Sequence, residues 1–230
     1  MVENTTYKIS IKEKFLQFLE QILDKFLKIP AFQRYVNRKS NNKYGSTFIT
    51  HNGTSEIDDV YSQYKFHDIQ PNDIVLDIGA NVGAFSMFVS KFTKHVYAVE
   101  PMLYKVLEQN IKLNNIKNIT VLDNALGEGI MKLNWTGCNE KTVIGKSLSE
   151  LIQLCGGKVD FIKTDCEGGE WAITSNDLKN VRRFEGEIHN FDESHNLYDF
   201  LKILDEANFE YEYTKPREGI LIIHARNKIF

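Results

Sequence analysis

No stretch of this 230-residue chain reaches the run of about 18 apolar residues that a membrane-spanning helix needs, so none is expected. The first ten residues, MVENTTYKIS, lack the apolar core of a secretory signal, and the expectation is a cytoplasmic protein. Cysteine is scarce. Cys138, Cys155 and Cys166 form no CxxC pair, which argues against zinc-ribbon and thioredoxin-like chemistry, and an odd count suits a reducing compartment. Internal repeats and low-complexity tracts are also missing. The rest is ordinary for a globular chain: 42% hydrophobic and 26% charged residues, at a length that buries a core without disulfides or metals. A net charge of −3 argues against a domain wholly devoted to nucleic acid. The charge is uneven, because residues 1–50 hold nine Lys/Arg against four acids, giving +5 and leaving −8 for the other 180 residues.

The pattern divides the chain into a helical, basic extension over 1–55 and a larger domain over 56–230. At about 100° per residue, Ile11, Phe15, Leu16, Phe18, Leu19, Ile22, Leu23, Phe26 and Leu27 share one half of a helix read over 10–29, with only Lys12 intruding. Pro30 is a natural stop. So wide a stripe must be covered, first by the chain's own core; a homodimer seam or a membrane surface are the alternatives. Residues 31–55, including RYVNRKSNNK, read as a polar, irregular connection.

From residue 56 short apolar runs alternate with helical stretches. IVLDIG (74–79), HVYAVE (95–100), ITVLDN (119–124), VDFIKTD (159–165) and FEGEIHN (184–190) read as buried strands. Helices are read around 83–92, 102–114, 147–154, 168–180 and 194–207, which implies βαβ units and a parallel sheet. EYEYTK (210–215) and GILIIHA (219–225) are joined too tightly for a crossover, so the last strand should run antiparallel.

In an open α/β sheet the ligand sits beyond the carboxyl ends of the strands. The first strand ends Asp77-Ile78-Gly79-Ala80-Asn81-Val82-Gly83. Gly79 permits a sharp turn and Gly83 a close approach of helix or ligand. Asp77, inside an apolar strand, needs hydrogen-bond donors or a cation. The loop is GxNxG, without the third glycine of a pyrophosphate cradle, and Glu100 ends the next strand 23 residues after Asp77, where an acid can accept from ribose hydroxyls. A ribose and a cationic group without a pyrophosphate point to S-adenosylmethionine over NAD. Asp123 and Asn124, ending the third strand, could meet the adenine. The fourth strand runs into Lys163-Thr164-Asp165-Cys166-Glu167-Gly168-Gly169-Glu170-Trp171, a density of charge hard to explain as core. On the fifth, Glu187 and His189 alternate onto one face beside it.

VLDIGANVGAFS (75–86), VYAVEP (96–101), LEQNIKLNN (107–115), NALGE (124–128) and VDFIKTDCEGGEW (159–171), in this order, resemble the class I S-adenosylmethionine-dependent methyltransferases, and more narrowly the FkbM-type family. The resemblance implies a Rossmann-like α/β fold, with a seven-stranded, mostly parallel sheet, an antiparallel last strand and helices on both faces. It implies methyl transfer, commonly to a hydroxyl of a sugar or other small molecule. Asp77, Gly79, Asn81, Gly83 and Glu100 carry over as cofactor residues. Lys163, Asp165, Glu167, Gly168 and Glu170 carry over as the signature near the transferred methyl.

The expected catalytic group is therefore Lys163, Asp165, Glu167 and His189, with Asp165, Glu167 or His189 taking the acceptor's proton. The expected cofactor contacts are Asp77, Gly79, Asn81, Gly83, Glu100, Asp123, Asn124 and Asp165. No metal is expected. The expected partner is a small-molecule or glycan acceptor, with a homodimer through the amino-terminal helix allowed. Methylation of RNA, on ribose or base, with the basic extension as binding arm, is the second reading. A non-catalytic module that only binds S-adenosylmethionine is the third.

Overall fold

The computed structural model describes residues 38–41, 45–50, 55–134, 140–190 and 194–230. The amphipathic helix read over 10–29, with any dimer seam it would form, lies outside the described residues.

A seven-stranded sheet organises the domain. In chain order its strands are β3 (Ile74–Ile78), β4 (His95–Val99), β5 (Ile119–Leu122), β9 (Phe161–Thr164), β10 (Arg183–His189), β11 (Phe209–Arg217) and β12 (Ile220–Asn227). Across the sheet the order is β11-β12-β10-β9-β3-β4-β5. The pairs β5·β4, β4·β3, β3·β9 and β9·β10 are parallel, and β12 runs antiparallel between β10 and β11. The expected sheet is therefore present, reversed last strand included. Its hairpin turns at Glu218-Gly219, with Gly219 at φ 76°. Pro216 lies inside β11 where the register shifts between Thr214 and Arg217. A missing N–H is tolerable there because β11 is an edge strand.

Strand alternation sends the two faces into different cores. Leu76, Ile78, Ile162, Phe184 and Ile188 pack with α4 (Leu148–Leu154), α5 (Ser175–Leu178) and α6 (Asp199–Glu206) in the largest cluster. On the opposite face Val75, Val96 and Phe161 meet α1 (Ser55–Gln63) and α2 (Ala84–Val89), while Ala98 meets α3 (Tyr104–Leu113).

Three regions differ from the sequence expectation. Within 31–55, β1 (Arg38–Asn41) and β2 (Thr47–Thr50) form an antiparallel pair instead of an irregular connection. Asn110 and Asn114, one helical turn apart on α3, hold it: the Ile49 N–H donates to Asn110 Oδ1 (2.6 Å) and the Thr47 N–H to Asn114 Oδ1 (2.9 Å). Phe48 is then fully buried against Val82, Met87 and Leu103. A hairpin whose ladder is completed by distant side chains has no local signal. The single helix expected over 168–180 is a 3₁₀ turn, Gly169–Ala172, followed by the four-residue α5. Thr174 adopts an extended backbone and caps α5 reciprocally with Asp177, which starts a new helix. Finally, β6 (Ala125–Leu126), β7 (Gly129–Leu133) and β8 (Lys141–Lys146) make a small separate sheet in the order β6-β8-β7.

Among the described residues no helix is long and apolar enough to cross a membrane.

Candidate functional site

A cavity of about 820 Å³ opens beyond the carboxyl ends of β3, β4, β9 and β10. Its floor is the turn after β3, where Gly79 has φ 75°. A Cβ there would lie 1.8 Å from the carbonyl oxygen of Asp165, so only glycine lets the ends of β3 and β9 approach this closely. Asn81, with φ 52°, also takes the left-handed conformation. Its N–H donates to Glu100 Oε2 (2.9 Å), while Oε1 accepts from the Met102 and Leu103 N–H groups (2.7 and 2.8 Å). Burial pushes the Glu100 carboxyl up, against these three backbone donors. A carboxylate has about four lone-pair sites, so Glu100 keeps capacity for a ribose hydroxyl. Val99, Ala125 and Leu126 supply apolar wall beside it, with Asn124 at the same edge. An acceptor for a diol, an apolar wall and carboxylates beyond the glycine turn together fit S-adenosylmethionine.

The counterion that Asp77 requires is internal. Asp77 is fully buried, accepts from the Ser86 hydroxyl (2.6 Å) and pairs with Lys163 at 3.2 Å. Lys163, 3% exposed, also donates to the Gly79 carbonyl oxygen (2.9 Å) and lies 3.9 Å from Asp165. Burial opposes its charge, but Asp77 and Asp165 outweigh burial and raise its pKa. The ammonium thus ties the glycine turn to β9. The same sheet row continues through Glu185, opposite Lys163, and His224, opposite Glu185, with a 2.6 Å contact between His224 Nδ1 and Glu185.

His189 ends β10 with 2% exposure. Its Nε2 lies 3.3 Å from Glu187 and 3.7 Å from Glu167, and its Nδ1 lies 3.6 Å from Glu170. Burial opposes the charged ring, but the nearby Glu170, Glu187 and Glu167 carboxylates prevail, and its pKa is pushed up to about 10. So raised, the ring favours the imidazolium form among three glutamates, which counts against the role of base expected for it. Glu170, completely buried, also caps the turn by accepting from the Cys166 and Gly168 N–H groups (2.6 and 2.9 Å). The Trp171 indole N–H donates to the His189 carbonyl oxygen (2.7 Å), and its ring stacks on His195 (4.2 Å, 16°).

Asp165 and Glu167 face the cavity. Burial raises both carboxyls; for Asp165 the Lys163 ammonium pulls the other way, and for Glu167 the His189 charge does. Glu167 sits in the left-handed region at φ 58°, just before Gly168 at φ 105°, and its side chain is 52% exposed. Ligand atoms of Asp165, Glu167 and His189 come within 4.8 Å of one another. They could hold a metal ion only if His189 first surrendered the proton that its three glutamates stabilise.

The structure brings Gly79, Asn81, Glu100, Asn124, Lys163, Asp165, Glu167 and His189 to one cavity. Asp77 lies behind that wall, facing Lys163. Gly83 caps α2, where a Cβ would lie 2.5 Å from Leu107 Cδ1. Asp123 is exposed outside the lining. Two contributors escaped the sequence reading. Gln63, the last residue of α1, donates to Glu187, and the Tyr64 hydroxyl donates to Asp165 Oδ2 (3.0 Å). An isolated Gln-Tyr at a helix end reads as surface and core, so nothing in the sequence marks it.

A family model described as the TRM5/TYW2 methyltransferase domain matches residues 65–132. The tRNA (guanine(37)-N(1))-methyltransferase Trm5b of Pyrococcus abyssi is 39% identical over 56 residues, 24% of this chain and 17% of that protein. The ribosomal protein L11 methyltransferase of Bacillus cereus is 28% identical over 119 residues, 48% of this chain and 38% of that protein. The chain thus spans well under half the length of these relatives. An rRNA methylase from Streptococcus thermophilus superposes with a TM-score of 0.50 at 12% identity, covering 69% of this chain and 89% of the other.

These findings correct the FkbM expectation: the family that matches is TRM5/TYW2, with a tRNA methyltransferase among the relatives. The reason lies in what the motifs do. VLDIGANVGAFS, VYAVEP and LEQNIKLNN all fall within 65–132; the first two supply cavity lining and the third packs and holds the elements behind it, so they serve the shared fold rather than one methyltransferase family. The matched span ends before 159–171. The strand order, the reversed strand and the flanking helices are those of the Rossmann-like class I methyltransferase fold.

Proposed function

We propose that the protein is an S-adenosylmethionine-dependent methyltransferase acting on a hydroxyl of a small molecule. The observation that carries this reading is the single cavity in which Glu100, at one end, and Asp165 with Glu167, at the other, flank the glycine turn. Its volume of about 820 Å³ is near the upper end for ligand sites, with room for donor and acceptor together. When bound, S-adenosylmethionine supplies an electrophilic methyl group on a cationic sulfur. Glu100 holds the ribose. The Asp165 carboxylate takes the acceptor's proton, since burial makes it a stronger base than an aspartate in water. Lys163 anchors it, and the His189 imidazolium keeps Glu167 and Glu187 in place rather than acting as a base.

Titration calorimetry with S-adenosylmethionine and S-adenosylhomocysteine tests the cofactor; heat with neither refutes the reading. Transfer of a labelled methyl group to a small-molecule extract, lost in Asp165→Asn, tests the reaction.

A second reading, methylation of RNA, is favoured by the TRM5/TYW2 match and the Trm5b relative. The acidic end of the cavity, with Asp165, Glu167 and Glu187 together, is a poor host for a phosphate backbone. A salt-sensitive gel shift with tRNA decides between the two.

A further inference from the structure

We propose that Tyr64 is a positioning residue that keeps Asp165 in its charged, proton-accepting form and turns it toward the cavity. The assignment rests on the methyltransferase reading for its purpose, though not for its geometry.

Tyr64 follows α1 directly and is 4% exposed. Its ring meets Phe85 edge-on (5.9 Å, 82°), and Phe85 in turn meets Phe161 on β9, so the ring is held by core packing on the sheet. The hydroxyl donates to Asp165 Oδ2 at 3.0 Å. Lys163 lies 3.9 Å from the same oxygen and 5.5 Å above the Tyr64 ring. Both contacts therefore converge on Oδ2, and Oδ1 has no protein hydrogen bond among the described residues, although Asp165 lines the cavity. A base needs this arrangement, with one oxygen fixed and the other available to the proton it must accept.

The phenol can serve only as a donor to a carboxylate. Burial raises its pKa well above the ordinary 10.0, and the Asp165 charge raises it further, so it stays protonated. The groups that face Asp165 are Tyr64 after α1, Lys163 on its own strand, Glu187 and His189 on β10, and Glu167 in the following loop. Two of these are acids that favour the neutral carboxyl. Tyr64 joins Lys163 and His189 on the other side of that balance. Gln63 supports it from the adjacent position by donating to Glu187. Thus the end of α1, more than 100 residues from Asp165 in the chain, forms the rear wall of the catalytic carboxylate.

The test is carboxyl carbon NMR on full-length protein labelled at aspartate, with the Asp165 signal assigned by Asp165→Asn, followed through a pH titration in wild type and in Tyr64→Phe. The expected result is a midpoint at higher pH in Tyr64→Phe, with S-adenosylhomocysteine affinity unchanged. An unmoved midpoint in folded Tyr64→Phe that still binds S-adenosylhomocysteine overturns the assignment. Should Tyr64→Phe not fold, alkaline difference absorbance of the tyrosines decides: Asp165→Asn should lower the midpoint of one buried phenol, and an unchanged titration overturns the proposal. Wild type that binds neither S-adenosylmethionine nor its demethylated product refutes the methyltransferase reading instead, and leaves the titration result standing.

Discussion

Replacing Lys163 with methionine removes the ammonium that sits between the buried Asp77 and the cavity-facing Asp165. The ammonium is 3% exposed, 3.2 Å from a fully buried Asp77 and 3.9 Å from Asp165, and it also satisfies the Gly79 carbonyl at 2.9 Å. Methionine fills most of the volume, so the loss is electrostatic rather than a cavity. Taking one partner from a buried ion pair costs about 3–5 kcal/mol, because the remaining charge is left uncompensated. For a chain of this length each kcal/mol lowers Tm by about 2–4 °C, so K163M should melt about 6–20 °C below wild type. Urea unfolding measures the free energy directly. The double variant Asp77→Asn with Lys163→Met separates charge from packing. It keeps an acceptor for the Ser86 hydroxyl and removes the stranded carboxylate, so it should be more stable than K163M alone. A loss below about 1 kcal/mol would place Lys163 among exposed pairs, and a double variant no better than K163M would show that the charge on Asp77 is not what Lys163 neutralises.

His189 supplies a pH signature. A group whose folded pKa of about 10 stands above its ordinary 6.5 contributes stability in full below 6.5, and that contribution disappears as pH climbs through 10. The stability gap between wild type and His189→Gln, measured by denaturation, should be level at acid pH and shrink between those limits; a gap that grows there refutes the imidazolium. Gly79→Ala would place a methyl 1.8 Å from the Asp165 carbonyl oxygen at φ 75°, so several kcal/mol of stability and all measurable nucleoside binding should be lost, by melting and calorimetry. Asn110→Leu removes the acceptor of the Ile49 N–H and donors to the Ile49 and Val82 carbonyls, at a cost of about 1–3 kcal/mol. Amide exchange at Ile49 should accelerate, and unchanged protection would mean that α3 does not hold the hairpin.

The parts of the molecule legible in the sequence were those with local causes. Apolar runs of strand length, separated by helical periodicity, led to the parallel sheet, and the tight connection near residue 218 led to its reversed last strand. The glycine turn at 79 and the acid at 100 were visible because a ligand loop needs glycine where the chain bends sharply and an acceptor one strand away. The β1·β2 hairpin was not visible, since the amides of Asn110 and Asn114 that secure it lie more than 60 residues away. Nor was the TRM5/TYW2 match, because motifs that serve a shared cofactor carry no information about the acceptor.

Charge illustrates the division most sharply. The sequence alone put Lys163 with Asp165, and Glu187 with His189, on one side of their strands through a two-residue alternation that any strand obeys, and gathered Asp77 and Glu167 at the same strand ends. It could not assign their protonation states. That Lys163 rather than a ligand answers Asp77, that three glutamates hold His189 as a cation, and that Tyr64 reaches Asp165 were decided by tertiary structure. A pKa depends on the few ångströms around a group, and those neighbours come from strands and helices that only folding brings together.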